Sequence, residues 1–254
     1  MKVTLLPSEA PAGPRQYLTT FLVGDSVAID AGSLGYFGSP ADQARVRHVF
    51  LTHAHIDHLG SLPIFLENVS DDTDDCPIVY ATDAVLEVVQ RDLLNDRLFP
   101  DFVRLSIDGP ALVRMRAIQP GQPTKVDGLT ITAAELNHVV PTVGYVVDDG
   151  RSAIAIVTDT AESDAIWDLC NRTPNLKAVF LEVTFPESMA WLAEISKHLT
   201  PKSFATELRK LQRSAQIYAI HLKARFRDEI LKELAALRRS DVTVLEPGRA
   251  IEIP

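Results

Sequence analysis

The stretch Thr52-His53-Ala54-His55-Ile56-Asp57-His58 gathers four metal-liking side chains into six positions, His53, His55, Asp57 and His58. The whole chain holds only 7 histidines, and three of them stand here. Imidazole and carboxylate suit zinc, iron or manganese, and a catalytic centre leaves a position open for water. The pKa of that water is lowered enough to make it a nucleophile at neutral pH. The plainer alternative is a polar loop that happens to be rich in histidine.

Further candidates each follow an apolar run. His138 lies a few residues past 129–133, Asp159 past 154–158, Glu182 past 179–181 and His221 past 217–220. Ligand sites in layered α/β proteins collect at the carboxyl ends of strands, so these residues can converge with the His53 loop. Taken singly, each reads as readily as a turn or core residue. Ligand counting assigns His53, His55 and His138 to a first divalent ion, and Asp57, His58 and His221 to a second. Asp159, with its two oxygens, would bridge them, because two dications repel unless an anion lies between. Asp57 counts as a catalytic residue as well as a ligand. Zinc is the expected metal, with manganese or iron as alternatives.

Asp30, in the turn Asp30-Ala31-Gly32, either shapes that turn or orients a metal-bound histidine by a hydrogen bond. His198, in Lys197-His198-Leu199-Thr200-Pro201, reads as a surface histidine or as a proton donor. In the second reading Glu182 fixes its tautomer and keeps it protonated, ready to serve a leaving oxygen. Lys223, two residues beyond His221, meets a phosphate or is a solvated charge.

These residues need elements to carry them. Short runs at 3–6, 17–23 and 26–29 predict strands, with Gly24-Asp25 as a hairpin signal. The run 49–51 predicts a buried strand feeding the His53 loop, and a helix is expected from about His58 through 66. A strand at 78–80 and a helix capped by Thr82 and running through Gln90 come next. Further strands are expected at 112–118, 129–133, 142–147, 153–157, 178–181, 216–220 and 242–244. Helices are expected over 163–170, from Thr200-Pro201 onward, and through Phe226, Ile230 and Leu234. Segment 91–116 is less regular, with Arg91, Arg97, Arg104, Arg114 and Arg116 among Phe99, Pro100 and Phe102. It reads as a surface excursion with solvated arginines, or as a flap or subunit contact near the substrate.

At 254 residues, without internal repeat, low-complexity tract or Gly/Ser linker, the chain is expected to form a single domain over 1–254. A net charge of −9 counts against a nuclease that tracks long backbones. Cys76 and Cys170 are far apart in no ligand spacing and read as idle thiols. No apolar stretch has bilayer length, and the first residues lack a basic segment followed by an apolar run. A cytoplasmic protein with no membrane partner is expected.

Asp30-Ala31-Gly32, Thr52 to His58, His138, Asp159 and His221 together resemble the successive motifs of the metallo-β-lactamase fold, over nearly the whole chain. The resemblance implies an α/β (α+β) four-layer αββα sandwich with a dinuclear site at one edge. Within that superfamily the chain resembles the phosphodiesterase branch, which includes ribonuclease Z and the class II 3′,5′-cyclic-nucleotide phosphodiesterases. Leu181-Glu182-Val183-Thr184-Phe185-Pro186 followed by His198-Leu199-Thr200-Pro201 is similar to the class II pattern. So are Leu98-Phe99-Pro100-Asp101-Phe102, Leu18-Thr19-Thr20-Phe21-Leu22-Val23 and His221-Leu222-Lys223. The implied role of His198 is general acid, with Glu182 as partner, and a homodimer using 91–116 is a further implication. Thr158 departs from the Gly usual before Asp-Thr, and Ala224 from the Pro that often follows the Lys; neither removes a ligand.

The resemblance points to hydrolysis of cyclic AMP or cyclic GMP to the 5′-monophosphate, with a small-molecule substrate rather than a nucleic acid. Three alternatives stand beside it. A ribonuclease Z-like nuclease acting on tRNA precursors would depend on a basic, Gly-rich arm that the chain lacks. A thioester or lactone hydrolase on the same scaffold has no need of the Glu182–His198 pair. A metal-bearing binding protein without turnover is the third.

Overall fold

Runs of Val, Ile, Phe and Tyr become strands that sort into two seven-stranded sheets in the computed structural model, which describes residues 1–9, 13–70 and 75–254. The first six strands are β1 (Lys2–Leu5), β2 (Phe21–Val23), β3 (Val27–Ile29), β4 (His48–Phe50), β5 (Ile78–Ala81) and β6 (Arg114–Ala117). The next seven are β7 (Pro123–Val126), β8 (Leu129–Leu136), β9 (Thr142–Asp148), β10 (Ala153–Val157), β11 (Leu176–Glu182), β12 (Gln216–Ile220) and β13 (Val242–Val244). The last strand, β14 (Ala250–Glu252), returns to pair antiparallel with β1. The sheets have the orders β14-β1-β2-β3-β4-β5-β6 and β13-β12-β11-β10-β9-β8-β7.

Direction matters more than order. Strands β3 to β6 run parallel, and so do β10 to β13. β8 is antiparallel to β9, which is antiparallel to β10, so β8 points the same way as β10. The carboxyl ends of β8, β10, β11 and β12 therefore share one edge of the second sheet.

The inner faces of the sheets share one core, in which Phe21, Ile29, Phe50 and Tyr80 meet Tyr145, Ile154, Ile156 and Phe180. Burying one such side chain contributes roughly 1.5–3 kcal/mol. The outer face of the first sheet packs on helices Leu62–Val69, Asp83–Val88 and Phe102–Asp108; that of the second packs on Ala165–Arg172, Pro201–Glu207 and Arg227–Ala236. This is the αββα layering expected of the fold. Two hydrogen bonds join the sheets just ahead of the histidine loop: Tyr145 Oη donates to Leu51 O (2.7 Å) and Val143 N to Thr52 O (3.0 Å). The loop thus starts from a fixed point.

Several boundaries differ from the sequence reading. Residues 17–20 are not strand, because Thr19 N turns aside to donate to Asp57 O (2.7 Å). The single helix expected from His58 is two, Ile56–Leu59 and Leu62–Val69. They break where Ser61 N and Oγ both donate to Ala31 O. In the segment 91–116, Arg91 pairs with Glu87 and Asp92, and Arg104 with Asp96. Phe99 and Phe102 turn inward onto the core. Among the described residues, no helix is long and apolar enough to cross a membrane.

Candidate metal centre

The histidine loop is held by the turn that precedes it in the chain. Asp30 is fully buried and takes a left-handed backbone (φ 63°), which is costly for a non-glycine residue and marks functional sites. Its Oδ2 accepts from His58 Nδ1 (2.7 Å), and its Oδ1 accepts from Thr52 N (2.8 Å). Thr52 Oγ1 also donates to the carboxylate, at 2.9 Å from Oδ2, and lies 3.0 Å from His53 Nδ1. A hydroxyl has one proton. With that proton on Asp30, His53 Nδ1–H must donate to Thr52, which leaves Nε2 with its lone pair. Gly32 is needed beside them, since a Cβ there would overlap Asp57 O and Thr19 N.

The second sheet delivers one residue per strand end. His138 follows β8, Asp159 follows β10, Glu182 ends β11 and His221 follows β12. His138 Nδ1 donates to Lys197 O (3.1 Å), turning Nε2 toward His55 Nδ1 (3.3 Å). His221 is also left-handed (φ 61°); its N donates to Gln16 Oε1 (3.0 Å), and its Nδ1 lies 3.0 Å from Thr184 Oγ1.

Asp159 lies between the two ligand groups. Its Oδ2 is 3.5 Å from His53 Nε2 and 3.9 Å from His138 Nε2. Its Oδ1 is 3.2 Å from His58 Nε2 and 3.4 Å from His221 Nε2. Asp57 Oδ2 stands 3.4 Å from His221 Nε2 and 3.3 Å from Lys223 Nζ. One atom from each of His53, His55, His138 and Asp159 lies within 4.8 Å of the others, as does one from each of Asp57, His58 and His221.

The chemistry of this donor set fits cations. Among the described residues, His53 Nε2, His58 Nε2 and Asp159 Oδ1 are buried and have no hydrogen-bond partner. Buried polar atoms are rarely left so. Burial pushes the pKa of His53 well below its usual value, and neighbouring imidazoles push it the same way. Burial opposes charge on His58 too, but the Asp159 and Asp30 carboxylates outweigh it and hold its pKa well above the usual value. A site flanked in this way calls for positive charge, and divalent ions would meet that demand without protonating the ligands. Burial raises the pKa of Asp30 despite His58 and Thr52. Asp57 is driven the other way: burial opposes its charge, yet His221, His58 and Lys223 hold its pKa far below the carboxylate range.

A β-lactamase superfamily domain matches residues 32–222. The chain belongs to that superfamily. No curated protein matches it. Among solved structures, members of the fold superpose over nearly the full chain at low identity. Yeast PDE1 is similar at a TM-score of 0.78 and 14% identity, over 98% of each chain. The metallo-β-lactamase fold protein YhfI from Bacillus subtilis is similar at 0.73 and 18%, again over 98% of each chain. Human tRNase Z, short form (ELAC1), is similar at 0.68 and 17%, over 100% of each chain. At these identities the likeness establishes the fold.

Within this superfamily member, His198 and Glu182 abut the ligands. His198 Nδ1 donates to Glu182 Oε1 (2.8 Å), and its Nε2 is 3.9 Å from Asp159 Oδ2. Its side chain is only 9% exposed, so it is not a surface histidine. Burial opposes its charge, but the Glu182 carboxylate outweighs this and raises its pKa. Burial likewise opposes charge on Glu182, and His198 more than compensates, leaving the carboxyl below its usual value. His198 Nε2 also falls within ligand reach of Asp159 and His221. Its Nδ1 is engaged with Glu182, however, and its Nε2 stands farther from Asp159 than the Nε2 atoms of His53, His58 and His221 do. Lys223 is partly exposed beside Asp57 rather than wholly solvated.

The sequence reading missed the groups that orient the ligands: Thr52, Thr184, Gln16 and the Lys197 carbonyl. A threonine adjacent to His53 and another two residues past Glu182 were the available signals. A cavity of about 660 Å³ opens beside His138, with Thr82, Gln119, Asn137, Val139 and Lys197 in its walls.

Proposed function

We propose that the protein is a dinuclear metal-dependent phosphodiesterase that hydrolyses 3′,5′-cyclic nucleotides, cyclic AMP or cyclic GMP, to 5′-monophosphates. The observation that carries this reading is the His198–Glu182 pair set against Asp159. Breaking a phosphodiester expels a strongly basic alkoxide, and a held proton donor beside the reacting centre answers that need. His53, His55, His138 and Asp159 would hold one ion, and Asp57, His58, His221 and Asp159 the other. Zinc suits these donors best. When bound, two such ions supply Lewis acidity and lower the pKa of water for attack on phosphorus.

The chain's own residues do the rest. Asp30, Thr52, Thr184 and Lys197 orient the imidazoles. His198 Nε2 delivers a proton to the 3′ oxygen, and Lys223 Nζ, beside Asp57, reaches toward a phosphoryl oxygen. The cavity beside His138 offers room for a nucleoside. Likeness to yeast PDE1 supports the reading. Likeness to human tRNase Z keeps a nuclease in view, against which the net charge of −9 weighs.

The test is a substrate panel on zinc-loaded protein. Turnover of cyclic AMP or cyclic GMP is expected. Inertness toward both, alongside efficient cleavage of a tRNA precursor, would overturn the assignment.

A further inference from the structure

Glu182 is a fully buried carboxylate with more partners than a proton-donor dyad needs. Oε1 accepts from His198 Nδ1 (2.8 Å) and from Thr160 N (2.7 Å), next to the bridging Asp159. Oε2 accepts from Leu199 N (3.1 Å) and Thr184 Oγ1 (2.5 Å). Four donors fill the lone-pair sites of an ionised carboxylate. Thr184 is itself fully buried, and its Oγ1 also lies 3.0 Å from His221 Nδ1.

The proton count leaves one arrangement. Two acceptor oxygens cannot sit 2.5 Å apart without a hydrogen between them, and ionised Glu182 has none. The Thr184 hydroxyl proton therefore lies toward Glu182, and its lone pair receives Nδ1–H from His221. That puts the free lone pair of His221 on Nε2, which faces Asp159 Oδ1 and Asp57 Oδ2 at 3.4 Å each.

We propose that Thr184 is a positioning residue that makes the proton-donor dyad and the second ion's histidine one unit, by fixing the metal-binding tautomer of His221 from the same carboxylate that orients His198. This rests on the phosphodiesterase reading for the part that concerns the leaving group. The part that concerns the metal stands without it. Partners that hold a metal-bound histidine typically change metal affinity by about 10–100-fold when removed.

The experiment compares Thr184→Val, which keeps the shape and loses the hydroxyl, with Thr184→Ser, which keeps the hydroxyl. Zn²⁺ binding to each apoprotein is measured by calorimetry. Hydrolysis is measured with bis(p-nitrophenyl) phosphate, whose leaving group needs no proton, and with cyclic AMP, whose leaving group does. Thr184→Val should weaken one of two Zn²⁺ sites about 10–100-fold and slow cyclic AMP more than the activated diester. Thr184→Ser should restore both to within a few-fold. Unchanged Zn²⁺ affinity in Thr184→Val, an equal loss on the two substrates, or no rescue by serine would overturn the coupling. If wild-type protein hydrolyses neither diester, the phosphodiesterase reading fails, and the Zn²⁺ titrations still decide the tautomer role.

Discussion

The site contains two versions of one device, and on the proposed function their difference would separate metal binding from proton transfer. In the first, buried Asp30 grips His58 directly and His53 through Thr52. In the second, buried Glu182 grips His198 directly and His221 through Thr184. Each is a carboxylate with one histidine in direct contact and another reached through a threonine hydroxyl. Both histidines of the first device bring Nε2 to within 3.5 Å of an Asp159 oxygen, at 3.2 and 3.5 Å. In the second, only His221 does so; His198 stands off at 3.9 Å. On the proposed function, the first device would serve ligands alone. The second would spend one arm on a ligand and the other on a proton donor.

The largest expected effect distinguishes those arms. His198→Ala should keep both ions while lowering the cyclic-nucleotide rate by roughly 10²–10⁴, the usual loss for a general acid. Metal analysis together with kcat checks this, and loss of an ion would make His198 a ligand instead. Next comes Asp30→Asn. In either orientation its amide NH₂ would face a donor, either His58 Nδ1–H or Thr52 N–H. Metal affinity should fall by about 10–100-fold, and a Zn²⁺ titration indistinguishable from wild type would dissolve the parallel. The smallest change is in pH dependence. Glu182 raises the pKa of His198 against the pull of burial, so the protonated donor persists to higher pH and activity is lost as pH rises through that value. Glu182→Gln removes the raising charge, and the alkaline limb of the rate profile should move to lower pH. A limb that stays in place would detach His198 from it.

How much of this is legible in the sequence follows the same division. The histidine loop is local: four side chains in six positions need only one turn to face one another. Asp159, Glu182 and His221 were legible as candidates because each directly follows an apolar run, and His138 because it lies a few residues past one; strands running the same way bring such ends together. The threonines were not. Thr52 and Thr184 act through hydroxyl geometry at a scale of tenths of an ångström, and neither composition nor spacing encodes that. Short edge strands also escaped notice. β7 holds Pro123 and Lys125, and β14 is three residues long and, among the described residues, pairs only with β1. The helix Ala190–Ser196, with Trp191 and Ile195 exposed, lacks a clear buried stripe. At the start of the run expected to be strand at 17–23, Thr19 serves the site instead, bonded to Asp57, and Gln16 just before the run is bonded to His221.

The most direct test is a Zn²⁺ titration of apoprotein with cyclic AMP as substrate, followed by phosphorus NMR. Turnover should rise to a plateau at two ions per chain, with the 5′-monophosphate as the only product. A plateau at one ion, formation of the 3′-monophosphate, or no turnover at any zinc level would contradict a dinuclear centre with His198 serving the 3′ oxygen.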